Sequence, residues 1–107
     1  MLQRNEKMAN LIKELAAQFL QRENNQTSLI TVTSANVSPD MKRATIFITV
    51  FPDTKEQGVI DFAKRKRAEL REFLKTKIMT KVIPFLDIEI DLGEKNRQKI
   101  DELLREK

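Results

Sequence analysis

From Met8 to Leu20 the apolar residues return at steps of three and one: Met8, Leu11, Ile12, Leu15, Ala16, Phe19 and Leu20. That rhythm lays a single apolar stripe along a helix, and Lys7, Lys13, Glu14, Gln18 and Gln21 fall on its other side. The polar run Asn24-Asn25-Gln26 ends it. Ser28 to Val37, rich in Thr, Val and Ile, reads as a strand. Its alternation through Ile30 and Val32 changes phase before Ala35 and Val37, which predicts a bulge near Thr33-Ser34. Ser38-Pro39-Asp40 supplies a turn. A second strand follows over 44–51, with Ala44, Ile46, Ile48 and Val50 on one face and Thr45, Phe47, Thr49 and Phe51 on the other. Together the two strands make an antiparallel hairpin.

Pro52-Asp53 closes the hairpin, and Asp53 or Thr54 is suited to cap the helix that follows. Residues 55–80 are helical in pattern, but four polar residues, Lys64 to Arg67, separate the apolar set Val59, Ile60, Phe62, Ala63 from the set Leu70, Phe73, Leu74, Ile78. Two helices, or one bent helix, are expected, with the joint between Lys64 and Ala68. After Pro84, Leu86, Ile88, Ile90 and Leu92 alternate with Asp87, Glu89 and Asp91, a third strand with an apolar and an acidic face, which Gly93 breaks. Ile100 to Leu104 is a further short helix or a segment draped over the core. The order is α-β-β-α-α-β. The long stretch from Phe51 to Phe85 calls for a helical crossover that returns the third strand parallel to a neighbour. The expected fold is a single α+β domain over 1–107, with a three-stranded mixed sheet and helices on one face.

Composition narrows the chemistry. The chain has no Cys and no His, and Gly58 and Gly93 are its only glycines. The commonest nucleophiles, general bases, metal ligands and Gly-rich phosphate loops are therefore missing, so neither enzymatic activity nor a cofactor, metal or small-molecule substrate is expected. No apolar run approaches the roughly 20 residues that span a bilayer, and the first residues lack a secretory apolar region. Absence of Cys fits a reducing compartment, and the expected setting is the cytoplasm. A net charge of +4 hides a strong separation. Lys64, Arg65, Lys66, Arg67, Arg71, Lys75, Lys77 and Lys81 stand against only Glu69 and Glu72, a local balance of +6, whereas Asp87, Glu89, Asp91 and Glu94 follow with no base between Phe85 and Glu94. Such an oriented field steers a polyanion to one side.

The element order is that of the type II KH-like RNA-binding fold, and local motifs sharpen the likeness. These are Val37-Ser38-Pro39-Asp40 with Lys42-Arg43-Ala44, Leu70-Arg71, Lys81-Val82-Ile83-Pro84 with Leu86 and Ile88, Asp91, and Lys99-Ile100-Asp101-Glu102-Leu103-Leu104. In that order and spacing the chain resembles the ribosome-binding factor A family. The resemblance implies a factor that binds the small (30S) ribosomal subunit or its precursor through 16S rRNA. It also implies assistance to late rRNA processing near the 5′ end and an association with growth in the cold. A monomer is expected. The family lacks the GxxG loop of ordinary KH domains, as this chain does, and carries an Ala-x-Gly kink between its two helices. Here Lys66-Arg67-Ala68 stands in that place, with Ala68 for the Gly, and Lys81 stands where the family more often has Arg.

Lys64, Arg67, Arg71 and Lys75, spaced three, four and four, would form one stripe on a continuous helix, with Lys77 and Lys81 extending it toward the third strand. Their chemistry is phosphate contact and counterion release; the alternative is a solvated helix face. Lys42 and Arg43 at the hairpin turn reach a second RNA segment or simply protect a sheet end. Asp87, Glu89 and Asp91 read as a solvent face that repels phosphate. Phe47 and Phe51 are expected in core or covered positions, the alternative being a base-stacking platform. Two other readings stand beside the ribosomal one: a general KH-like RNA-binding module, and a protein-interaction domain that uses its apolar strand faces.

Overall fold

A computed structural model describes residues 3–24, 27–79 and 82–105. Its first helix, α1, runs Arg4–Glu23, longer at both ends than the apolar stripe. The stripe marks only the turns that pack: Met8, Ile12, Ala16, Phe19 and Leu20 are buried, while the polar flanks extend the helix with contacts at its ends, Asn5 Nδ2 donating to the Val37 carbonyl (3.2 Å) and Glu23 pairing with Lys66. Strands β1 (Leu29–Val37) and β2 (Arg43–Phe51) pair antiparallel, and the register slips between Val32 and Ser34. Thr33 is the extra residue, and the slip keeps Ile30, Val32, Ala35 and Val37 all on the core side. Between the strands, the Ser38 hydroxyl donates to Asp40 Oδ1 (2.6 Å) and accepts from the Arg43 N–H (3.1 Å). Asp40 Oδ1 also accepts the Lys42 N–H (3.0 Å). Met41 takes the left-handed backbone conformation there, with φ 64°.

Helices α2 (Glu56–Arg65) and α3 (Arg67–Lys77) make the crossover, preceded by a short 3₁₀ turn, Asp53–Lys55. Neither Asp53 nor Thr54 caps α2: the residue before it is Lys55, with no side-chain cap. The two helices join at one residue, Lys66, at φ −92° and ψ 5°. That conformation is open to any L-residue, so the break does not require glycine. Ala68 lies inside α3.

Strand β3 (Phe85–Ile90) pairs parallel with β2, giving the order β1-β2-β3 in a mixed sheet. Helices α1, α2 and α3 cover one face, where Ile46, Ile48, Leu70, Leu74, Ile83 and Ile88 are almost fully buried. The last element is a full helix, α4 (Leu92–Arg105), and Gly93 lies in its first turn rather than simply breaking the strand. Its starting signal is Asp91, whose Oδ1 accepts the Glu94 N–H (3.0 Å) and whose Oδ2 accepts the Thr33 hydroxyl (2.6 Å). Asp91 is thus a helix cap tied to the bulge, not a third member of the acidic strand face. Lys95 joins Glu56 of α2 at 2.9 Å, and α4 runs beside the open-face residues Leu29, Thr31, Thr49 and Phe51. Its apolar Ile100, Leu103 and Leu104 remain more than half exposed.

The Asp91 cap has a pH signature. The Glu94 N–H and then the Thr33 hydroxyl hold its carboxyl below the ordinary value of 3.8. A carboxyl depressed in the folded state stabilises above its unfolded value and loses that contribution as pH falls through the folded one. Asp91→Ala is expected to cost about 1 kcal/mol at pH 7, read as a lower melting temperature. The gap between variant and parent should narrow in melts taken below pH 3.8. An equal gap at both pH values would mean that the charge on the cap contributes nothing.

Candidate nucleic-acid interface

The basic residues read from the sequence do not form one straight row. The break at Lys66 leaves Lys64 and Arg65 on the last turn of α2, both exposed, and puts Arg67, Arg71 and Lys75 on α3. Lysines and arginines in the last turn of a helix complement its carboxyl-end partial charge. Within α3 the spacing of four aligns Arg67, Arg71 and Lys75 along one side.

Several of these cations have partners. Lys66 Nζ lies 3.3 Å from Glu69 Oε2, 3.6 Å from Glu23 Oε1 and 5.9 Å from the Phe62 ring centre. Being half-buried, it serves the joint between α1, α2 and α3. Arg67 reaches β3: its Nη1 is 3.7 Å from Asp87 Oδ1, and its guanidinium carbon lies 5.4 Å from the Phe85 ring centre. The basic helix and the acidic strand, separate in charge along the sequence, are linked at this pair. Lys75 is 3.5 Å from Glu72, and Lys77 sits 5.9 Å from the Phe73 ring centre. Exposed pairs of this kind contribute about 0–1 kcal/mol, so they leave the positive field of α3 available to a polyanion. Lys42, Arg43, Lys64, Arg65, Arg71 and Lys77 form no ion pair among the described residues. Lys81 lies outside the described residues.

The parallel ladder brings the second basic group to the first. The Phe85 N–H bonds the Lys42 carbonyl at 2.9 Å, and Arg43 is the direct partner of Phe85 across β2 and β3. Directly paired residues share a face, so Arg43 and Phe85 stand side by side on the open face. Lys42 and Arg43, far from α3 in sequence, therefore flank the strand that Arg67 touches. Arg67, Ala68, Arg71, Phe85 and Leu86 line a shallow cavity of about 180 Å³ at this corner.

The aromatic residues divide differently from the sequence expectation. Phe51 is 68% exposed at the open end of β2, and Phe47 is half-buried in its middle. Phe85 was not singled out by the sequence, yet it is 56% exposed, with the Arg67 guanidinium over its ring and Arg71 lining the same cavity. Its signal was its phase: as the residue before Leu86 in the alternation it had to face away from the core. Asp87 and Glu89 share that open face, opposite Thr45 and Phe47. Asp87 Oδ1 also accepts the Ile88 N–H at 2.9 Å.

The sequence model of ribosome-binding factor A matches residues 4–104. Ribosome-binding factor A of Methylobacterium radiotolerans is 31% identical over 97% of this chain and 77% of its own length. Among solved structures, the crystal structure of ribosome-binding factor A from Thermus thermophilus superposes with a TM-score of 0.73 at 18% identity, covering 82% of this chain and 97% of that one. A homology model of the Thermus thermophilus factor, fitted into an electron-microscopy map of a 30S–RbfA complex, gives a TM-score of 0.68 at 20% identity over 76% of this chain and 88% of that one.

Proposed function

The chain belongs to the ribosome-binding factor A family, and from that premise we propose that it binds the small ribosomal subunit or its precursor and assists late processing of 16S rRNA. In this reading it works in the cytoplasm as a single, monomeric, non-enzymatic KH-like domain, and its contribution grows at low temperature. The observation that carries the reading is the meeting of two basic groups at the start of β3. Lys42 and Arg43 from the hairpin turn lie next to the α3 side that presents Arg67 and Arg71. Lys64, Arg65, Lys75 and Lys77 extend the positive surface, and Lys81 is assigned to it by sequence. The relative fitted into a 30S complex supports the same partner for this chain.

Mechanistically, the positive edge docks on rRNA backbone through phosphate contacts, which give affinity with little sequence readout. Docking stabilises one arrangement of the immature rRNA while processing proceeds. The carboxylate of Glu89, which joins no ion pair among the described residues, disfavours the opposite orientation.

Sedimentation with mature and immature small subunits at two salt concentrations tests the reading. Co-sedimentation is expected with immature particles at low salt, with a loss of about 100-fold or more in affinity between 50 and 200 mM salt if four or more phosphates are contacted. Binding insensitive to salt would favour an apolar protein contact instead. If RNA recovered from cells were scattered messages and not precursor 16S rRNA, the chain would be a general RNA-binding module.

A further inference from the structure

The corner where α3 meets β3 holds a combination that phosphate binding alone does not call for. Phe85 opens β3 with a ring that is 56% exposed, while its neighbour Leu86 is in the core. The Arg67 guanidinium lies 5.4 Å from the ring centre, and Arg43 is its cross-strand partner. Ala68 and Leu86 give the adjoining cavity of about 180 Å³ an apolar floor, and Arg71 stands at its side. An exposed aromatic ring, an apolar floor and guanidinium groups around the rim match the two halves of a nucleotide: a flat base and a phosphate.

We propose that Phe85 and Arg67, with Arg71 at the rim, form a pocket for one unpaired nucleotide of RNA. The base stacks on the Phe85 ring, and the phosphate is held by Arg71 and by Arg67 as it leaves Asp87. This inference rests on the RNA-binding reading given above and adds to it a strand state and a residue outside the basic row. Double-stranded RNA keeps its bases stacked inside the helix and has none to offer the ring, whereas a loop or single strand does. Charge also favours RNA over a peptide. The only carboxylate paired to this corner among the described residues is Asp87, and it already faces Arg67.

The Arg67–Asp87 pair is long, at 3.7 Å, and both side chains are more than a third exposed. Solvent screens such a pair, so an entering phosphate displaces Asp87 at little cost. Asp87 retains the Ile88 N–H, which it accepts at 2.9 Å, and does not become an isolated charge. The pair keeps Arg67 laid across Phe85 when no RNA is bound and yields when a phosphate arrives.

The test measures fluorescence anisotropy of a labelled single-stranded oligoribonucleotide about ten nucleotides long, a span within the range of single-strand binding sites, against the same sequence in a duplex. Phe85→Ala and Phe85→Leu are each expected to weaken single-strand binding about 5- to 140-fold, the range for loss of one base–aromatic stack. The slope of log Kd on log salt should stay unchanged, because no phosphate contact is removed. Duplex binding should not move. Asp87→Asn should tighten the single strand several-fold by releasing Arg67. Phe85→Leu keeps apolar bulk, so it decides the matter if the alanine variant melts early. Parental affinity in Phe85→Leu, or equal losses on strand and duplex, would overturn the pocket. A protein that sediments with subunits in a salt-dependent way but ignores the oligomer defeats only this inference. One that does neither defeats the RNA-binding reading as well.

Discussion

Arg71→Glu combined with Lys75→Glu is expected to lower affinity for the small subunit about 25- to 60-fold at 0.1 M salt, with the fold intact. The figure follows from counterion release. Each phosphate neutralised by the protein contributes a slope of about 0.7–0.9 in log affinity against log salt, so leaving two phosphates without their cations removes about 1.4–1.8 log units over the decade from 1 M to 0.1 M. Reversal of sign adds repulsion to that loss. Both residues point away from the core on one side of α3, and Lys75 gives up only an exposed pair with Glu72. Arg67 is the poorer choice, because a Glu there would face Asp87 and mix a folding defect with a binding one. Salt titrations by sedimentation or anisotropy read both quantities: the affinity at low salt, and a slope shallower by the share of two phosphates. Parental binding by a double variant with an unchanged melting temperature would move the docking surface off α3.

What the sequence revealed and what it concealed follow one physical division. Local periodicity is written in neighbouring residues. The phase change before Ala35 announced the bulge at Thr33, and the polar gap at 64–67 announced the joint at Lys66. The alternation after Pro84 announced β3, with Leu86 and Ile88 in the core. Pairings between distant segments leave no such mark. Arg67 and Asp87 are twenty positions apart, and only the crossover brings the helix to the strand. Arg43 and Phe85 meet only because the parallel ladder sets that register. The net charge of the α3 segment was legible, but which cations already had partners was not. Helix α4 misled for another reason: its apolar residues suggest packing on the core, yet the anchoring is done by Asp91 and Lys95 at its first turns. Phe51 and Phe85 illustrate the same limit, since alternation assigns a residue to a face but does not say whether another element covers it.

The second large effect concerns the helix that holds the scaffold of this surface together. Phe19→Ala is expected to destabilise the chain by about 3–5 kcal/mol, the usual cost of deleting a buried aromatic ring. Phe19 is 2% exposed on α1 and packs against Phe73 of α3, with ring centres 5.8 Å apart. Arg22 lies over both rings, at 5.5 Å from Phe19 and 5.1 Å from Phe73. Removing the ring therefore opens a cavity and also unseats α3, the helix that carries Arg67, Arg71 and Lys75. Against a typical total of about 5–15 kcal/mol, the loss is a large share of the stability. At about 4–8 °C per kcal/mol for a domain of this size, the melting temperature should fall by at least about 12 °C. Leu103→Ala supplies the contrast. Leu103 is apolar and helical but 65% exposed on α4, so its removal should change stability by no more than about 0.5 kcal/mol. Denaturant titrations of the two variants decide the matter. Comparable losses at the two positions would mean that α4 is packed in solution and that the core extends beneath it, whereas a loss confined to Phe19 places the stabilising contact between α1 and the basic helix.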